Sequence, residues 1–224
     1  MLTLSSEKSL ARFISFGAAF TTVFVLWGSV TDPVNTPKLF ILGATAFAAG
    51  TIAFVMGYKE LWRSSRLWLI GSILFIAFSI SAIVNSASPL VQNIYGSYGR
   101  NTGFVTYLAL LLISTPATLI RQKSNFNLVI YSLFAAGITN VAYCLWAIVF
   151  GDFIGWNNPY GNILGTFGNP NFIGAFLGIF ITALTAYVVQ PGTSWKVRGL
   201  AVVIVAVGLY EINKSIDLSS IIKL

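Results

Sequence analysis

The 224-residue chain is 56% hydrophobic and only 8% charged, with a mean hydropathy of +0.82. A soluble domain carries roughly 25% charged residues, so this composition cannot cover a globular surface and lipid must be the solvent for most of the chain. The net charge of +7 would raise nucleic acid for a soluble protein, but here the charges flank apolar runs, so they read as topology signals and no nucleic-acid partner is expected.

A helix that crosses a bilayer needs roughly 20 apolar residues. In chain order, six runs qualify, at 13–30, 39–57, 67–84, 103–120, 126–150 and 172–189. A seventh, 197–212, is marginal because it runs into Glu211, Asn213 and Lys214. The pattern predicts an all-α, polytopic transmembrane helix bundle, with residues 1–224 forming a single transmembrane domain. The first run follows Lys8 and Arg12, as a signal peptide would, but its length and the lack of a small-x-small cleavage site before a soluble domain make it a retained anchor. Trp62, Trp68, Tyr107, Trp156 and Trp195 sit near the ends of runs, at the level where amphipathic rings prefer headgroups.

Positive charge sets the orientation. With the N-terminus in the cytoplasm, Lys8, Arg12, Lys59, Arg63, Arg66, Arg121, Lys123, Lys196 and Arg198 are cytoplasmic, whereas Lys38, Arg100, Lys214 and Lys223 are outside, a split of nine against four. The cytoplasmic connections are then short and basic. Two longer outer loops, 85–102 (NSASPLVQNIYGSYGRNT) and 151–171 (GDFIGWNNPYGNILGTFGNPN), are rich in Asn, Gly and aromatics, with Arg100 and Asp152 as their charges. Small residues four apart, as at Ala46 and Gly50 or Gly174 and Gly178, are accounted for by close helix packing.

The inventory of reactive groups is short. There is no histidine, which removes the commonest general base and metal ligand. The single cysteine, Cys144, excludes an intramolecular disulfide and reads as a small apolar packing residue. The carboxylates Asp32, Asp152, Glu211 and Asp217 show no spacing of an acid/base pair, and no metal cluster, nucleophile motif or cofactor motif is present. No charge lies in the middle of the six clear runs, which weighs against ion-coupled transport.

Two loop segments are candidate binding elements. In the second outer loop, Asn169 and Pro170 make a good N-cap and first-turn pair, which is one sufficient reading of that segment. The other is that Gly165 and Gly168 let backbone N–H groups approach a ligand, with the positive end of the helix dipole facing an anion. In the first, Arg100 lies between Gly96, Gly99 and Gly103, beside Tyr95 and Tyr98. A lone arginine at the interface suits lipid phosphate, and its forked donors equally suit the pyrophosphate of a lipid-linked substrate. Tyr faces and amides such as Asn169 and Asn171 suit sugar rings and hydroxyls.

The segment GTFGNPNFIGAFLG (165–178) resembles the GTxGNPNxxG signature of the O-antigen ligase and O-antigen polymerase superfamily. YGSYGRNTGFVTYLAL (95–110) is similar to that family's arginine-containing segment, and TDPVNTPKLFIL (31–42) to its region after the first helix, with order and spacing agreeing over about residues 10–212. The resemblance implies a GT-C-like bundle performing metal- and cofactor-independent glycosyl transfer on the outer face of a bacterial inner membrane. The glycan would come from an undecaprenyl-pyrophosphate carrier, with Arg100 contacting the donor pyrophosphate and loop 165–171 shaping the donor site. Family members are about twice as long and carry a later external loop with arginines and often a histidine. The chain is therefore expected to be an N-terminal portion, inactive alone and completed by its missing half or a partner membrane protein. Catalytic residues, the donor glycan, the acceptor and the choice of ligation or polymerisation stay open. So do two other readings: a membrane permease or transport accessory, as some relatives were once assigned to bicarbonate uptake, and a non-catalytic membrane subunit.

Overall fold

The computed structural model describes residues 4–26, 32, 34–97, 101–154 and 161–215, and every regular element among them is helical. The helices are α1 (Leu4–Val23), α2 (Asn35–Ser64), α3 (Arg66–Val84), α4 (Leu90–Tyr95), α5 (Phe104–Ala117), α6 (Lys123–Phe150), α7 (Pro170–Val188) and α8 (Trp195–Ser215), with one 3-10 turn at Gly165–Phe167. Each apolar run overlaps a helix, but several ends are displaced from the expected ones: the run 13–30 outlasts α1, which ends at Val23, and residues 27–30 lie outside the described residues. Helix α1 starts ahead of residue 13 because its polar beginning is amphipathic. Glu7, Leu10, Ala11 and Ile14 recur at helical spacing and are buried, while Lys8, Arg12 and Phe13 face outward. Helix α2 starts ahead of residue 39 because the Asp32 carboxylate accepts from the backbone N–H groups of Val34 (3.2 Å) and Asn35 (2.8 Å), supplying partners that a helix start otherwise lacks.

Four of these segments are long and apolar enough to cross a bilayer: Asn35–Val55, Arg66–Val84, Lys123–Phe150 and Pro170–Val188. The chain is a membrane-embedded, multi-pass helical protein. Helix α5 is apolar but only 14 residues long; it stops where the Thr118 hydroxyl donates back to the Thr115 carbonyl (2.7 Å). Helix α1 carries Glu7, Lys8 and Arg12, and α8 carries Lys196, Arg198, Glu211 and Lys214, which keeps both outside that set.

The chain forms two compact units, Met1–Thr21 with Val30–Ser132, and Thr22–Ser29 with Leu133–Leu224. In the first, α2 packs mainly on α5. Along its middle the buried face carries Thr45, Ala46, Ala49 and Ala53, with Gly50 against Leu112, and its opposite face carries Phe40, Phe47 and Phe54, which are 77%, 76% and 74% exposed. Size, not polarity, separates the two faces, as expected where lipid is the solvent and only small residues let helix backbones approach. Helix α3 buries no residue, although it is apolar over most of its length. The core of this unit joins Leu10 and Ile14 of α1 to Ala49, Ala53 and Leu61 of α2 and to Leu119.

The second unit is built on α7, whose buried residues Ile173, Leu177, Phe180, Ile181, Leu184 and Val188 recur at helical spacing. The Phe180 ring lies so close over Gly137 of α6 that a side chain there would overlap it. Gly174 faces the Ser215 hydroxyl and Gly208 faces Ile181, so α8 runs antiparallel to α7.

Candidate functional site

The two segments singled out in the sequence belong to different units. Tyr95 is in the first, at the end of α4; Gly165, Gly168, Asn169 and Asn171 are in the second, in and just after the 3-10 turn. Tyr98 and Arg100 lie outside the described residues.

In the first unit, glycine is demanded on both sides of the loop that contains Arg100. Gly96 adopts φ +92°, a left-handed conformation, and a Cβ on it would strike the backbone of Thr102 and Gly103. A Cβ on Gly103 would strike the backbone of Ile94 and Tyr95 in return. The chain therefore closes on itself backbone to backbone at these two positions, and Thr106 ties the closure further by donating its hydroxyl to the Asn101 carbonyl. Two clefts flank α4. One, of about 570 Å³, is lined by Phe75, Ser88, Asn93, Thr102 and Tyr107 among others. The other, of about 540 Å³, is lined by Asp32, Thr36, Gln92, Tyr95 and Asn101. Gln92, Gly96 and Ser97 line both. Asn101 is left-handed (φ 46°), and its side-chain nitrogen has no hydrogen-bond partner among the described residues. The surfaces combine amides, hydroxyls and aromatic faces with a single carboxylate, that of Asp32.

In the second unit, the GTFGNPN segment is a folded structural element. Gly165 and Gly168 are left-handed (φ +55° and +62°), and a Cβ on Gly165 would lie 2.6 Å from the Ile173 side chain, so this turn is pressed onto α7. Asn169 is the N-cap of α7: its Oδ1 accepts from the backbone N–H groups of Asn171 (2.9 Å) and Phe172 (3.4 Å), with Pro170 in the first turn. Gly165 is buried, Gly168 and Asn169 are half-buried, and Asn171 is exposed. Both glycines and Asn169 thus have local structural duties, the helix-start reading of the segment.

Between the glycines, Thr166 is buried and points inward. Its backbone N–H (3.3 Å) and its hydroxyl (2.8 Å) both reach Oδ1 of Asn140 on α6, and the same hydroxyl lies 2.7 Å from the Thr22 carbonyl. One hydroxyl proton serves either acceptor at a time. Asn140 is fully buried and donates its amide to the Ala136 carbonyl (3.0 Å), which fixes Oδ1 as the atom facing Thr166. A polar latch inside a lipid-facing bundle therefore holds the glycine turn in place.

Sequence reasoning passed over Asn140 and Thr166, and it treated Glu211 as a carboxylate at the edge of the membrane. Glu211 is instead fully buried within the second unit. One signal was legible: Ala201, Gly208 and Ser215 stand seven residues apart, and Glu211 lies on the stripe they define. No family model, no curated protein and no solved structure matches the chain. Among the described residues, no group of His, Cys, Asp or Glu is arranged to hold a metal ion.

Proposed function

We propose that this chain acts on undecaprenyl-pyrophosphate-linked glycans at the outer face of a bacterial inner membrane, as part of an O-antigen ligase- or polymerase-like, GT-C-type bundle of six spans and a seventh, with its N-terminus in the cytoplasm. Arg100 contacts the donor pyrophosphate, Tyr95 and Tyr98 offer faces to the sugars, and the loop at Gly165, Gly168, Asn169 and Asn171 shapes the donor site. The observation that carries this reading is the pair of clefts beside α4, where Gln92, Asn93, Asn101, Tyr95 and Tyr107 supply amides and aromatic faces and little charge. That lining suits sugar rings, whose hydroxyls need donors and acceptors and whose apolar faces stack on aromatics. The ordered likeness of segments 31–42, 95–110 and 165–178 to the family supports it further.

The test is binding to the purified chain in detergent, read by native mass spectrometry, with undecaprenyl pyrophosphate against undecaprenyl monophosphate. Charge-assisted hydrogen bonds are worth about 1.5–3 kcal/mol, so Arg100→Ala should weaken pyrophosphate binding by roughly 10- to 100-fold and bring it near the monophosphate. Equal binding by wild type and Arg100→Ala would remove the pyrophosphate role and the reading with it.

A further inference from the structure

The second unit holds a carboxylate with no counterpart. Glu211 is 0% exposed, and among the described residues neither of its side-chain oxygens has a hydrogen-bond partner. The neighbouring contacts place it. Gly208 meets Val141 of α6 and Ile181 of α7, and Ser215 meets Gly174 of α7. Glu211 is one turn beyond Gly208 on the same buried stripe, so it stands level with Cys144 on α6, which is one turn beyond Val141, and near Leu177 on α7.

No cation compensates it among the described residues. From α6 the titratable groups of this unit are Cys144 and Tyr143, and the Tyr143 hydroxyl is bonded to Asp152 (2.6 Å). Helix α7 offers only Tyr187, about 15 Å along the axis from Leu177 at 1.5 Å per residue. On α8 itself, Lys196 and Arg198 are in the first turn, and Lys214 is exposed, with its ammonium over the Tyr210 ring at 5.8 Å. A buried carboxylate in its ionised form, lacking both a cation and donors, carries a large desolvation cost; its protonated form does not. Since Glu211 is fully buried, a hydrated cation or an organic ammonium could meet it only if its surroundings opened.

We propose that Glu211 is a proton-binding site inside the α6–α7–α8 unit. The carboxylate takes a proton from the aqueous phase when α8 packs on α6 and α7, and returns it when α8 separates. Only the O–H bond is made and broken. Proton occupancy is thereby coupled to the docking of α8, independently of the glycan reading above.

A membrane-soluble carbodiimide tests this directly on the whole chain in detergent or liposomes. A protonated carboxyl adds across one C=N bond of the reagent, its proton going to nitrogen and its oxygen to the central carbon. In a dry site the acyl group then shifts to nitrogen, leaving a stable adduct that carries the whole reagent. With dicyclohexylcarbodiimide, peptide mapping of the wild-type chain should find the adduct at Glu211. Labelling should fall as the pH is raised and should be lost in Glu211→Gln. Infrared difference spectra should show a protonated-carboxyl C=O band that Glu211→Gln removes. Absence of both the adduct at Glu211 and that band in wild type would overturn the proposal, and neither wild-type measurement depends on a variant folding. Equal labelling of Glu211 by a water-soluble carbodiimide would overturn it too, because the site would then be wet.

Discussion

Each unit buries a glutamate on a helix, and the two are treated in opposite ways. In the first unit, Glu7 of α1 reaches the start of α6, where its Oε1 accepts from the backbone N–H of Arg121 (3.1 Å), the backbone N–H of Gln122 (2.8 Å) and the side chain of Asn125 (2.9 Å). It holds the turn that leads into α6, near the positive end of the α6 dipole. In the second unit, Glu211 is more deeply buried and receives no hydrogen bond from the described residues. A carboxylate that answers unsatisfied donors is part of the scaffold. One that answers none gives the scaffold no such return, and its presence calls for another account.

Replacing each glutamate by leucine sharpens the contrast most. Glu7→Leu strands the donors that converge on Oε1, an expected loss of about 2–3 kcal/mol. Glu211→Leu removes a polar group that has no partner and should be neutral or stabilising, since apolar replacement of buried ionic groups often is. Thermal unfolding in detergent, with the two variants side by side, reads both effects. A larger loss for Glu211→Leu than for Glu7→Leu would reverse the assignment of roles.

The next effect lies in the latch of the second unit. Asn140→Leu leaves the buried Thr166 N–H without its acceptor, at an expected cost of about 2 kcal/mol. The double variant Asn140→Leu with Thr166→Val should cost less than the sum of the two single changes, because both act on one shared interaction. Additive losses would show that the Asn140–Thr166 contact contributes little, and the glycine turn would then be held by Gly165 packing on Ile173 alone.

Helix class and the approximate place of most elements were legible because composition and run length dictate them: 39–57, 67–84 and 126–150 fall within observed helices, and 172–189 outlasts α7 by one residue. The cap at Asn169 was legible for a local reason, since a side chain and the N–H groups two and three residues on decide it. The start of α1 was not, because its polar residues are helical only by packing Leu10 and Ile14 against α2. The partners of Glu7 are more than a hundred positions away, and Asn140 meets Thr166 across 26; no spacing rule reaches so far. Hydropathy counts also treat a buried Glu and an interfacial Glu alike, so the position of Glu211 on the small-residue stripe was the one available clue.

The smallest effect is a slope. Burial alone would raise the Glu7 carboxyl, but the bonds from Asn125, Gln122 and Arg121, together with the Arg121 charge, outweigh it and hold the group below its usual value. A folded-state value lowered in this way means that the unfolded chain binds the proton more readily. The stabilisation is therefore complete above the ordinary carboxylate range and is lost as the pH falls through that range to the lowered folded value. Glu7→Gln keeps the shape of the side chain and offers an amide oxygen to the same donors, but it cannot titrate. Its unfolding midpoint should lie below that of wild type at neutral pH and draw level in acid, narrowing a gap that Glu211→Gln would not reproduce. A constant gap between wild type and Glu7→Gln across that range would mean that Oε1 works as a neutral acceptor, and the charge at the start of α6 would have no part in holding α1 there.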